Sequence, residues 1–216
     1  MTAAPYQEPL QVAEIRHRMT NGFQLIQAYT RQQLRKCETP EARELVGRVL
    51  RQIQSVSSLQ TAMGEADLGK FGAFLDQIEP HWQRLGEGQG IEVVVTRNTP
   101  QHLPKHISEN AARILTEAIT NALEQAFPDD RGGRIEVDAV LRNATRMDLR
   151  VADNGVGLQD TPGDGQGTAI IAKLAEELGG ESHWHPREPS GCLLAVSFPV
   201  TTDHDIFHAN GRHAIG

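Results

Sequence analysis

Cysteine is scarce. Cys37 and Cys192 are the only two in 216 residues, which excludes a disulfide-stapled framework and supplies no metal-binding spacing. Basic charge is also short: 21 Lys and Arg stand against 28 Asp and Glu, a net charge of −7 with a pI near 5.7. A nucleic-acid binder normally carries a basic face or stripe, and none is evident. Long apolar runs are missing as well. Stretches such as Leu193 to Val196 fall far below the ~20 residues that span a bilayer. The opening MTAAPYQEPL has neither the basic segment nor the apolar run of a signal peptide. These absences lead us to expect a cytoplasmic protein with no nucleic-acid partner and no membrane insertion. There is no internal repeat and no low-complexity tract. What remains is ordinary globular composition, 38% apolar and 23% charged, in a length that suits one domain or two small ones.

Two long helical patterns come first. From Val12 the apolar positions Ile15, Met19, Phe23 and Ile26 recur at spacings of three and four, the signature of an amphipathic helix. The pattern breaks at Cys37-Glu38-Thr39-Pro40, where Thr39 can cap a new helix and Pro40 suits its first position. Ala42, Val46, Val49, Ile53, Val56 and Met63 then keep a near-heptad rhythm. The two form a hairpin with narrow apolar seams, which buries too little to stand alone. A dimeric four-helix bundle resolves this; docking of the pair onto the rest of the chain is the alternative.

A weaker helical stretch from about Leu68 to Leu85 contains Pro80, which is expected to kink or end it, and Gly86 to Gly90 reads as a joint between domains. Beyond it the spacing predicts strands over Ile91–Thr96, Arg134–Leu141, Met147–Ala152, Glu181–His185 and Cys192–Val200. Helices are predicted over Pro104–Phe127 and Thr168–Leu178. The expected organisation is α+β: a helical hairpin over 8–66, a linker helix and joint over 67–90, a mixed domain over 91–200 and a polar tail over 201–216.

Four constellations stand out. His17 lies about 140° round the helix from Val12, away from the apolar seam, with Glu14 one turn before it and Asn21 one turn after. An exposed, oriented imidazole can act as a nucleophile through a ring nitrogen. Glu117 and Asn121 share a face of the long helix and offer a carboxylate and a carboxamide oxygen, as a hydrated Mg²⁺ or a phosphate site would use. Asp153-Asn-Gly155-Val-Gly157 directly follows a strand, placing a carboxylate where it can accept from an exocyclic amine beside backbone that admits close approach. Gly163-Asp-Gly165-Gln-Gly167 opens a helix, where backbone N–H groups can cradle an anion. A surface histidine, a solvated helix edge, an Asx turn and a flexible loop are the respective plain readings.

In this order the motifs resemble a sensor histidine kinase of the class whose phosphoacceptor box reads His-Arg-x-x-Asn, here His17-Arg18-Met19-Thr20-Asn21. TEAITNALEQAFPDDRGGRIEV is similar to that family's N-box, and VADNGVGL to its first glycine box. The resemblance spans roughly residues 10 to 200. It implies a dimerisation and phosphotransfer hairpin followed by a GHKL (Bergerat-type) α/β sandwich that binds ATP and Mg²⁺. His17 would then be the phosphoacceptor, Glu117 a catalytic helper and Asn121 the Mg²⁺ ligand. Asp153 would read the adenine amino group, Gly155 and Gly157 would shape the pocket, and Gly165 and Gly167 would hold the phosphate end. The implied partners are a second copy of the chain and a response-regulator receiver domain, whose aspartate accepts the phosphoryl group. Only about a dozen residues precede the hairpin, so the expectation is either a signal received from a sensor protein in trans or a protein that is no sensor at all.

The chain also departs from the pattern. After Asn121 the family usually places a base and a histidine where this sequence has Glu124 and Gln125. An acid beside a triphosphate weakens binding unless Arg131, Arg134 or Lys173 compensates. Gly22 replaces the second asparagine of the phosphoacceptor box, and the later glycine box reads Gly-Gln-Gly-Thr. Two other functions are therefore weighed: a phosphotransfer relay through His17 without ATP chemistry, and a non-enzymatic dimeric docking module.

Overall fold

The structure is a computed structural model and describes residues 10–65, 70–99, 103–128, 131–143, 145–157 and 166–200. It divides into two compact units, Met1–Glu65 and Ala66–Gly216. The first is a hairpin of α1 (Leu10–Lys36) and α2 (Pro40–Glu65). The start of α2 is fixed as the sequence suggests: Thr39 Oγ1 accepts from the Ala42 amide (3.2 Å), and Pro40 takes the first helical position, where its missing N–H costs nothing. Arg43 closes the turn by donating to the Cys37 carbonyl at 3.0 Å. Among the described hairpin residues only Thr30, Leu50, Leu59 and Ala62 are buried. Thr30 satisfies its hydroxyl on the Ile26 carbonyl one turn back. Much of the expected seam faces outward in a single chain: Ile15, Met19, Ile26 and Val49 are exposed, joined by Leu25 at 72% and Tyr29 at 63%.

The second unit holds α3 (Phe71–Glu87), β1 (Ile91–Asn98), α4 (Lys105–Gln125), β2 (Gly133–Asn143), β3 (Arg146–Asp153), α5 (Gln166–Glu177), β4 (Glu181–Pro186) and β5 (Cys192–Pro199). The sheet order is β1-β2-β3-β5-β4. β1 and β2 run parallel and are joined through α4; the remaining pairs are antiparallel. Alternation decides the two faces. Ile135, Val137 and Ala139 on β2, Met147, Leu149 and Val151 on β3, and Leu194, Val196 and Phe198 on β5 are buried beneath the helices. Their neighbours on the other face are mostly polar on β2 and β3 and laced with ion pairs such as Arg142–Asp148 and Arg134–Glu92. One covered face and one wetted face make a two-layer α/β sandwich.

Two expectations are corrected here. The stretch 67–90 is not a linker and joint. Phe71, Phe74, Leu75, Ile78, Trp82 and Leu85 recur with helical period, are all buried, and place α3 in the core of the second unit. Pro80 does not end the helix, which continues to Glu87. Gly86 to Gly90 is a tight turn inside that unit: a Cβ on Gly86 would stand 2.4 Å from the Ile91 carbonyl oxygen, and Gly90 has φ +72°. The change of texture after Gly90 marks the first strand; the boundary between units falls earlier, near residue 65. The tail over 201–216 lies outside the described residues.

Since α3 supplies core rather than connection, Phe74→Ala is expected to cost the sandwich about 3–5 kcal/mol. The urea midpoint of the full chain, followed by far-UV circular dichroism, measures it. A midpoint unchanged within error would return α3 to the role of a linker.

Candidate functional site

The site begins at the end of β3, where Asp153 is 6% exposed. Its Oδ1 accepts from the Gly155 amide at 2.9 Å, an Asx turn, and from the Cys192 amide at 3.3 Å. Among the described residues Oδ2 accepts no hydrogen bond. Burial pushes the Asp153 carboxyl above its ordinary value, against the two amides and the Arg187 guanidinium, which pull it down. The same burial, with the Asp153 charge alongside, drives the Cys192 thiol up to about 12, which leaves it an inert small hydrophobe. Asn154 locks the strand end: its Oδ1 accepts from the Arg134 amide at 2.7 Å and its own amide donates to the Arg134 carbonyl at 3.2 Å.

The loop then lies on α4. A Cβ on Gly155 would stand 2.1 Å from the Ala126 carbonyl oxygen, so only glycine permits the approach, and the Val156 amide donates to that same oxygen at 2.9 Å. Gly157 turns the chain with φ +83°. About 7.5 Å back along α4 from Ala126, at the 1.5 Å rise of a helix, lies half-buried Asn121, with Glu117 one turn earlier on the same face. Gly167, in the first turn of α5, sits against both. A methyl there would stand 2.4 Å from Asn121 Nδ2 and 2.6 Å from Glu117 Oε1. One helix therefore presents two stations, the Asp153 loop at its end and the start of α5 beside Glu117 and Asn121. The first can accept a hydrogen bond from an amine through a carboxylate held almost out of water. The second offers two oxygen ligands for a hard cation next to a helix N-terminus that favours anions.

Asp153, Gly155, Gly157, Glu117, Asn121 and Gly167 are thus brought onto one helix and its flanks. Gly165 lies outside the described residues. His17 belongs to α1 in the other unit, and its side chain also lies outside them. Glu14, expected beside His17, is ion-paired with Arg18 at 2.6 Å. Of the three bases proposed to offset Glu124, Arg134 is held by Glu92 and Glu136 on the wetted face of the sheet, whereas Arg131 and Lys173 are exposed. Sequence reasoning missed Ala126, Arg187, Gly191 and Cys192. The last three belong to the β4–β5 hairpin and reach Asp153 because β5 pairs with β3, Leu193 opposite Ala152. A glycine immediately before the final apolar strand was the available signal.

The raised Asp153 carboxyl has a defined sign for stability. The native state keeps its proton to higher pH than the unfolded chain, so this group's contribution falls as pH rises from the ordinary carboxylate range through the raised native value. Asp153→Asn removes that cost while keeping an acceptor for the two amides. Its melting temperature at about pH 7 is expected to equal or exceed that of the wild type, the gap closing towards about pH 4. A variant clearly less stable at neutral pH would contradict this.

Residues 14–78 match the family model described as "Histidine kinase", and residues 106–202 match that of the histidine kinase-, DNA gyrase B- and HSP90-like ATPases. Over 208 residues the chain is 25% identical to Blue-light-activated histidine kinase 2 of Erythrobacter litoralis, covering 88% of this chain and 57% of that protein. It is 26% identical over 200 residues to Sensor histidine kinase PdtaS of Mycobacterium tuberculosis, covering 88% and 39%. The chain therefore spans well under two thirds of the length of either relative. In fold it is similar to the histidine kinase domain of the E. litoralis EL346 blue-light activated histidine kinase, with a TM-score of 0.56, 18% identity, and coverage of 82% of this chain and 96% of that one. The two models fall on one chain in the order of its two structural units, hairpin before GHKL-type sandwich, and that pairing makes the chain a member of the histidine kinase family.

Proposed function

We propose that this chain uses ATP to phosphorylate His17 and then passes the phosphoryl group to an aspartate of a response-regulator receiver domain. The observation that carries the reading is the pair of stations on α4: a buried carboxylate with Oδ2 left open, and Glu117 and Asn121 gathered against Gly167. Asp153 accepts from the adenine amino group, and its burial rewards a matched donor. Asn121 is the side chain that would hold Mg²⁺, with Glu117 one turn away as the catalytic helper; a carboxamide oxygen, with the rest of the shell left to water and phosphates, suits that ion. When bound, Mg²⁺ supplies positive charge against the phosphate oxygens. The start of α5 adds N–H groups and the positive end of its dipole. A His17 ring nitrogen forms the new N–P bond while the bond from the γ-phosphorus to the β–γ bridging oxygen breaks and ADP leaves. The chain's part in this is positioning.

Glu124 and Gln125, both exposed at the last turn of α4, favour the second reading, a relay that charges His17 from a phosphorylated regulator. Incubation with Mg²⁺ and γ-labelled ATP separates the two. The kinase reading expects acid-labile label on wild-type protein, none on His17→Gln, and nucleotide affinity ten- to a hundred-fold weaker in Asp153→Asn, the worth of about 1.5–3 kcal/mol for a hydrogen bond to a charged acceptor. Label surviving at wild-type level in His17→Gln would remove both readings. No ATP binding, with His17 still charged from a regulator, would leave the relay.

The outward seam of the hairpin supports a homodimer. Ile15, Met19, Leu25, Ile26, Tyr29, Leu45 and Val49 are too many exposed apolar groups for two helices alone, and a second copy covers them in a four-helix bundle. Light scattering at micromolar concentration is expected to give twice the 23.8 kDa chain mass, and Ile26→Glu with Tyr29→Glu to shift it towards the monomer. A strict wild-type monomer would refute the bundle.

A further inference from the structure

The turn between β4 and β5 reaches the site in a way that the reading above does not use. Arg187, about one-third exposed, donates from Nη1 to the Asp153 main-chain carbonyl at 3.2 Å and from Nη2 to Glu136 Oε2 at 3.1 Å. Its own amide donates to the Gly191 carbonyl at 3.0 Å, which closes the turn. Gly191 has φ +116°, and a Cβ there would stand 2.0 Å from the Asp153 carbonyl oxygen. The next residue, Cys192, gives its amide to the Asp153 carboxylate. One short turn therefore grips Asp153 at both ends, carbonyl and carboxylate. Glu136 anchors the grip, giving one carboxylate oxygen to Arg187 and the other to Arg134.

We propose that Arg187 is a positioning residue for nucleotide recognition: from the β4–β5 turn it fixes the main chain of Asp153 so that the carboxylate, pinned through Oδ1, presents Oδ2 to the base. The proposal rests on reading Asp153 as the adenine contact. A partly exposed ion pair alone contributes little, and the Arg187–Glu136 contact taken by itself would be of that kind. What distinguishes Arg187 is that the same planar guanidinium reaches a main-chain acceptor of a buried residue, which a fork with several donors can do and a single ammonium does poorly. The fit is close because Gly191, having no side chain, lets the β4–β5 turn meet the main chain of Asp153, and Gly157 packs against the Gly191 backbone.

The test pairs Arg187→Gln with Arg187→Lys in the full chain. Calorimetric affinity for Mg·ADP at neutral pH is expected to fall about ten-fold in Arg187→Gln. Arg187→Lys keeps the charge and loses the fork, so it is also expected to bind more weakly than wild type. The second readout is the ¹³C carboxyl titration of Asp153 without nucleotide. The charged and titratable groups facing Asp153 among the described residues are Arg187 from the turn and the Cys192 thiol from β5, with Glu136 of β2 one contact further. Removing the positive charge is expected to move the Asp153 midpoint to higher pH in Arg187→Gln and to leave it in place in Arg187→Lys. A general loss of packing would move neither in this charge-dependent way. Wild-type affinity in both variants, or superimposable titrations of Arg187→Gln and wild type, would overturn the proposal. If the wild-type protein binds no nucleotide, the adenine reading fails instead, and the titration still decides whether Arg187 governs Asp153.

Discussion

A carboxylate held almost out of water is the constraint on which the sandwich's site depends. Asp153 sits at the end of a strand whose side chains are core, and an ion there survives only with its partners in place. Two backbone amides, one guanidinium and three close-packed glycines supply them. The loop from Asp153 to Gly157, the end of α4 and the β4–β5 turn are all arranged around that need. The stability cost of the buried charge is the counterpart of its use: an acceptor that water does not already satisfy discriminates strongly for a donor of matching shape.

Much of the scaffold was legible in the sequence because it is written in local periodicity. The hairpin, its Thr39 cap and all five strands follow from apolar spacing and turn residues, within a few positions at each end. The errors came from composition standing in for contact. The glycines from Gly86 to Gly90 look like a hinge, but their bareness lets α3 and β1 meet at van der Waals distance. Pro80 looks like a stop, yet the helix runs through it, with Ile78 and Trp82 on either side buried in the core.

The site was legible in part. Asp153, Gly155, Glu117 and Asn121 could be singled out because each lies in a compact motif. Their convergence on one helix could not, since it depends on β3 pairing with β2 so that the loop after β3 meets the end of α4. Arg187 and Cys192 were missed because, apart from Gly191 ahead of the last strand, nothing near either points to a carboxylate 34 and 39 positions earlier. Arg134 shows the converse, a base close to the motif in sequence that the strand turns to the wetted face.

That separation along the chain also orders events in time. Asp153 is made well before the residues that hold it, and pairing across such a span carries a loop-closure cost that local contacts do not. During synthesis the hairpin can coil as soon as it emerges, and β2 and β3 can pair soon after they do. The surroundings of Asp153 wait for the final hairpin. Until residue 192 has been added and β5 has zipped onto β3, Asp153 is an ordinary solvated aspartate. The full set of contacts around Asp153 therefore appears late and all at once, and a chain that stops before residue 192 lacks the amide that reaches this carboxylate from β5.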